Sequence, residues 1–146
     1  MSVGGRLHLV HPLGFDLSEK ALRRAGLDYW RKLDVVEHES WSGFCSSMKE
    51  HEDASAWLFT THAADQPHWQ AAFKPGDFLL FGSETKGAAD EVHEWVRARH
   101  GDSHRVTLPQ VSEGRSINLS AAVSAGLYEA VRQCHSGPPA NLLPNS

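Results

Sequence analysis

Cysteine is scarce. Cys45 and Cys134 are the only two and stand far apart in the chain, so neither a disulfide framework nor a cysteine-based metal site is in view, and a reducing, cytoplasmic setting is the expectation. Long apolar runs are missing as well. No stretch reaches the roughly 20 residues that a bilayer-spanning helix needs. The opening residues, Met1 to Gly5, carry neither the basic region nor the apolar run of a secretory signal, so the glycosylation sequon Asn118-Leu119-Ser120 reads as accidental. No Gly-x-Gly-x-x-Gly follows an apolar run, which disfavours a dinucleotide-binding dehydrogenase. Histidine is plentiful, at ten residues, yet His93-Glu94 and His100 do not give the spacing of a zinc hydrolase, and no metal is expected. Internal repeats and low-complexity segments are absent.

The composition is that of a globular domain, with 40% hydrophobic and 22% charged residues. One domain is expected over residues 1–136, followed by a flexible tail, 137–146, rich in Pro, Asn and Ser. The net charge of −4 argues against indiscriminate nucleic-acid binding. Its distribution is uneven, because residues 1–32 carry six Lys and Arg against three acids. A local basic face on an acidic protein is one reading, and an ordinary solvated helix face is the other.

Short apolar runs alternate with helical patterns. Strands are expected at Leu7–Val10, Leu33–Glu37, Ala56–Thr60, Phe78–Phe81 and Arg105–Leu108. Helices are expected at Ser18–Ala25, Ser40–His51, Ala88–Arg99 and Asn118–Cys134, with Ser18 as a cap and Gly26 as a stop. Trp41, Phe44, Cys45 and Met48 share one face of the second helix. Val92, Trp95 and Val96 point inward from the third. Leu119, Val123, Leu127, Val131 and Cys134 form the apolar stripe of the last. This alternation predicts an α/β fold with a mostly parallel sheet flanked by helices, whose ligands sit beyond the carboxyl ends of the strands.

The segments at three of those ends are unusual. They are Thr60-Thr61-His62-Ala63, Gly82-Ser83-Glu84-Thr85-Lys86-Gly87, and the polar run from Pro109 to Ser120. Glycine at Gly82 would let a ligand approach the backbone closely. Ser116 and Asn118 stand where the last helix begins, able either to cap it or to face a ligand. Each segment alone is more often a turn or a cap than a site.

Taken together, they resemble a known family. Leu80-Phe81-Gly82-Ser83-Glu84-Thr85-Lys86-Gly87 is similar to the second motif of the SPOUT methyltransferases. Leu108-Pro109 through Arg115-Ser116-Ile117-Asn118-Leu119-Ser120 to Leu127-Tyr128-Glu129-Ala130 is similar to the third. His11-Pro12-Leu13-Gly14-Phe15 and Leu22-Arg23-Arg24-Ala25-Gly26-Leu27-Asp28-Tyr29-Trp30 resemble one subfamily, the tRNA (cytidine/uridine-2′-O)-methyltransferases of the wobble nucleotide. The resemblance implies a C-terminal trefoil knot, S-adenosylmethionine as methyl donor, tRNA as substrate and a homodimer. It implies cofactor contacts from Phe59, Gly82, Leu108, Ser116 and Ile117. It implies catalytic or orienting roles for Glu84 and Asn118, and RNA contacts from Arg23, Arg24 and Tyr128. On this reading Gly82 removes a side chain that would obstruct the cofactor.

The resemblance also has a gap. The family's first strand, Asn-x-Gly-Asn-like loop and arginine-bearing helix have no counterpart, and Val3-Gly4-Gly5 is similar to the loop that follows them. The chain is thus expected to start about two dozen residues late. Arg6 does not stand in for the motif arginine, which implies weak turnover by this stretch alone. The competing expectation is a catalytically impaired knot-fold module that binds RNA or S-adenosylmethionine.

Overall fold

The computed structural model describes residues 3–27, 30–61, 64, 66–110 and 117–135. Two compact units result, Met1–Glu52 and Asp53–Ser146. Ser116 and the expected tail lie outside the described residues.

In the first unit, β1 (Leu7–Val10) pairs in parallel with β2 (Val35–His38), with α1 (Glu19–Arg24) on the connection between them and α2 (Trp41–Ser47) after β2. Ser18 caps α1 through Ala21 N–H, and Gly26 ends it at φ +70°. The second strand begins later than Leu33. A 3₁₀ turn at Trp30–Lys32 takes the Leu33 N–H onto Trp30 O at 3.0 Å, which withdraws it from the ladder. Ser40 caps α2 through Gly43 N–H, and the helix tightens to 3₁₀ at Met48–Glu50. Ser46 and Ser47 bond back to the carbonyls of Ser42 and Phe44 just before that change, which weakens the α-helical ladder there. Phe44 and Met48 are the buried members of the expected apolar face.

The second unit holds a four-stranded sheet in the order β4 (Gln66–Pro67), β6 (Arg105–Thr107), β3 (Ala56–Phe59), β5 (Phe78–Phe81). All its pairings are parallel. The two residues of β4 were not anticipated, because so short a strand leaves no periodicity to read. β3 is apolar throughout and buried on both faces, as a central parallel strand should be. Trp57 and Phe59 pack with Ala71, Phe73 and Val106 on one side, and Leu79, Phe81, Leu108 and Ala130 close around them. α3 (Asp90–His100) packs against β3 and β6 and buries Val96 completely. α4 (Leu119–Cys134) packs against β5.

Asp77 ties down the amino ends of β3 and β5. Its carboxylate accepts from Ser55 N–H, Lys74 N–H and the Trp57 indole N–H, all at 2.9 Å. Trp57 stacks on His104 at 3.9 Å and His104 on His100 at 5.1 Å. His100 Nε2 accepts from Ala56 N–H at 3.3 Å, which requires that nitrogen to be unprotonated. Burial, then the neighbouring His104 and Arg99, push the His100 pKa down to about 4 against the opposing pull of Asp77. Burial also depresses His104, His93 and His8; His8 additionally shares a 2.9 Å ring-nitrogen contact with His38.

A histidine held below its unfolded value binds fewer protons in the fold than in the unfolded chain. Stability is therefore fully present above about pH 6.5 and is lost as the pH falls toward about 4. The melting temperature should drop steadily over that window. His100→Gln, which keeps an acceptor for Ala56 N–H, should flatten part of the slope. A melting temperature independent of pH between 7 and 4.5 would contradict the assignment.

Candidate active site

β3 has β5 on one side and β6 on the other, so the chain leaves its carboxyl end where the strand order reverses. In open parallel sheets that is where a crevice forms. Here a cavity of about 540 Å³ lies beyond the ends of β3, β5 and β6, a size suited to a nucleoside-sized ligand. Phe59, Phe81, Leu108, Ile117 and Leu119 supply apolar lining, and the 82–87 loop supplies polar backbone. Phe59 stacks on Phe81 at 4.6 Å.

The 82–87 loop is a closed turn. Ser83 N–H donates to Gly87 O and Gly87 N–H to Ser83 O, each at 2.9 Å, while Lys86 N–H donates to Ser83 Oγ at 3.2 Å. Gly87 takes φ +70°, a conformation that L side chains rarely adopt. Gly82 is under a constraint that its sequence does not show. It lines the cleft, but a Cβ on it would collide with the backbone of Gly87 and Ala88. The missing side chain makes room for the returning loop.

Asn118 does two things at once. Its Oδ1 caps α4, accepting from Ser120 N–H at 3.0 Å, Ala121 N–H at 3.4 Å and Ser120 Oγ–H at 2.6 Å. Its Nδ2 donates to Glu84 Oε1 at 3.0 Å. The start of α4 is thereby fastened to the tip of the turn after β5. Glycine also lets α4 lie close to the strands. A Cβ at Gly126 would sit 2.7 Å from Phe59 Cζ and 2.8 Å from Cε1. Gly126→Ala should therefore destabilise by up to about 2 kcal/mol in urea unfolding: overpacking costs about 1–3 kcal/mol and the helix-propensity gain returns about 1. An unchanged midpoint would mean that Phe59 yields freely.

The structure thus brings Phe59, Gly82, Glu84, Leu108 and Ile117 to one cleft, with Asn118 bonded to Glu84. Tyr128 stands 58% exposed on α4. Arg23 and Arg24 are exposed on α1 in the other unit, and Arg23 lies 3.8 Å from Glu19. The sequence reading missed the opposite wall, where Asp90, His93 and Arg97 line the cleft from α3, with Arg105 and Thr107 from β6. Their spacing of three and four on one helix was the available signal. Burial and Arg105 hold His93 below its ordinary pKa, with Asp90 opposing and Arg97 adding to the shift. Among the described residues no group of His, Cys, Asp or Glu could hold a metal ion, and no helix is long and apolar enough to cross a membrane.

Three comparisons with known proteins bear on this cleft. A tRNA (cytidine(34)-2′-O)-methyltransferase of Methylovorus glucosotrophus (strain SIP3-4) is 41% identical over 133 residues, covering 90% of this chain and 80% of its own. A solved structure described as giving insights into the 2-OH methylation of C/U34 on tRNA matches with a TM-score of 0.73 and 38% identity, covering 88% of this chain and 78% of that one. The fold alone is shared with the SpoU methyltransferase AviRb from Streptomyces viridochromogenes, solved in complex with AdoMet. Its TM-score is 0.73 at 21% identity, over 90% of this chain and 51% of that one. The profile of the SpoU rRNA Methylase family matches residues 2–128, a span that includes the strands, the closed turn and most of the helix that its asparagine caps. The chain belongs to the SpoU methylase family.

Proposed function

We propose that this protein transfers the methyl group of S-adenosylmethionine to the ribose 2′-hydroxyl of nucleotide 34 in the tRNA anticodon loop. The observation that carries the reading is the cleft itself. It is built from the segments that resemble the family's methyltransferase motifs, in a chain about 40% identical to a tRNA (cytidine(34)-2′-O)-methyltransferase. The residues suit the donor. A nucleoside needs a flat apolar slot with backbone polar groups at its rim, and Phe59, Phe81, Ile117 and the 82–87 loop offer both.

The bound donor supplies an activated methyl group on sulfur, a good leaving group, so the protein's task is largely alignment. Asn118 and Glu84 hold the two loops in register. Glu84 Oε2, which has no partner among the described residues, can accept a hydrogen bond from the 2′-hydroxyl and so orient a weak nucleophile. Leu108 and Ser116 complete the cofactor contacts. Arg23, Arg24 and Tyr128, exposed and polar-tipped, are assigned to the RNA. The two compact units act as one domain, since the family match crosses their boundary. A C-terminal trefoil knot, a homodimer and a cytoplasmic setting complete the proposal, with family membership as their support.

The test is methyl transfer to tRNA with a radiolabelled donor, followed by mapping of the modified nucleotide. Label in a 2′-O-methyl at position 34 is expected. Cofactor binding with no transfer to any tRNA would favour a binding module instead.

A further inference from the structure

Arg97 and Arg105 line the cleft beside Asp90 and His93, and the methyl-transfer reading leaves these two arginines without a task. Arg105 opens β6 with its side chain only 13% exposed. Its Nη2 donates to Asp102 Oδ1 at 2.6 Å, yet its Nε is buried with no acceptor. Native folds rarely leave such a donor unmet, and one that is unmet calls for an explanation. Arg97 Nε stands 3.5 Å from the same Asp102 oxygen, so one carboxylate serves two guanidinium groups. His93, three residues after Asp90 and four before Arg97, lines the same wall, and Arg105 and Arg97 both act on its charge.

We propose that this recess is an oxyanion subsite, in which Arg105 and Arg97, with His93 beside them, take up a carboxylate or phosphate group of a molecule bound in the cleft. The inference rests on the reading of the cleft as a methyl-donor site. Water does not reach Arg105 Nε in the present arrangement, so the guanidinium must turn to meet the ligand. Two arginines offer the paired, charge-assisted hydrogen bonds that planar oxyanions favour. The oxyanion has two sources in this reaction: the amino-acid carboxylate of the methyl donor, or a backbone phosphate of the RNA.

The experiment titrates the purified protein with three ligands. These are S-adenosylhomocysteine, 5′-methylthioadenosine (the same nucleoside thioether without a carboxylate) and an anticodon stem-loop RNA. Each is measured with wild type, Arg105→Gln and Arg97→Gln, and melting curves identify the variants that fold. Arg97 is half exposed, so its variant is expected to fold even where Arg105→Gln does not. If the group is the carboxylate, the variants bind S-adenosylhomocysteine about tenfold or more weakly and methylthioadenosine unchanged. If it is a phosphate, RNA binding weakens instead and its salt slope falls by about one. In either case the His93 ring, followed by NMR, titrates at a higher pH once the ligand is bound to wild type. Affinities within about twofold for all three ligands in the folded variants, with an unmoved His93, overturn the subsite. If wild type binds neither nucleoside, the methyl-donor reading fails on its own account, and the RNA arm alone decides the subsite.

Discussion

A Gly82→Ala protein is expected to lose the cleft. The added Cβ would overlap Gly87 and Ala88 main-chain atoms, and main chain cannot swing away as the tip of a side chain can. The loop has no slack to offer, because Ser83 and Gly87 are locked by reciprocal hydrogen bonds. The cost should reach or pass the upper end of the range of about 1–3 kcal/mol seen for overpacked sites, a large share of the 5–15 kcal/mol typical of a whole domain. Relief requires opening the turn that carries Glu84, so affinity for S-adenosylhomocysteine should fall by about two orders of magnitude. Urea unfolding and titration calorimetry measure the two effects. Gly14→Ala is the control, since a Cβ there meets nothing within 4 Å. Wild-type stability and affinity in Gly82→Ala would show that the close approach of the loop is dispensable.

The second large effect is expected at Asn118. Aspartate is as good a helix cap as asparagine, and on capping grounds alone Asn118→Asp should be silent. The bond to Glu84 reverses that expectation. The substitution replaces an N–H donor by a carboxylate oxygen about 3.0 Å from Glu84 Oε1. Two like charges at such a distance repel by roughly 1–4 kcal/mol across the range from bulk water to a protein surface. The turn and the helix start should separate, and methyl transfer should drop by on the order of 10²-fold or more. The double variant Glu84→Gln/Asn118→Asp exchanges donor and acceptor and should recover most of the loss. A cap-only role predicts the opposite pattern: no loss in the single variant and nothing for the double variant to restore. Transfer rates and melting temperatures of the four proteins form the cycle that separates these outcomes.

The reversal shows where sequence reading stops. Phe78–Phe81, Ala56–Phe59 and the stripe of α4 were legible because burial writes apolar residues at strand or helix spacing. The caps Ser18 and Asn118 were legible because an orphaned helix amide needs an oxygen at a fixed offset. The motifs after β5 and β6 pointed to a cleft at those strand ends. What stayed hidden were relations across the chain. Glu84 and Asn118 are 34 residues apart, and no local rule joins them. Gly82 is glycine because of Gly87 and Ala88, a constraint visible only when the loop closes. Asp90, His93 and Arg97 were not singled out together, because their shared helix face says nothing by itself of what it confronts.

The position of β3 has a consequence for how the protein is made. Its register runs against Phe78 to Phe81 on one side and against Arg105 and Val106 on the other, so Leu58 meets its second neighbour 47 residues downstream. Parallel partners cannot zip up from a hairpin turn, and contacts so distant in sequence form slowly. At a ribosome adding about 5–20 residues per second, β3 waits several seconds for its last neighbour to be synthesised. During that interval Ala56-Trp57-Leu58-Phe59 is an apolar strand with an open edge, and nascent-chain aggregation or chaperone capture should concentrate there.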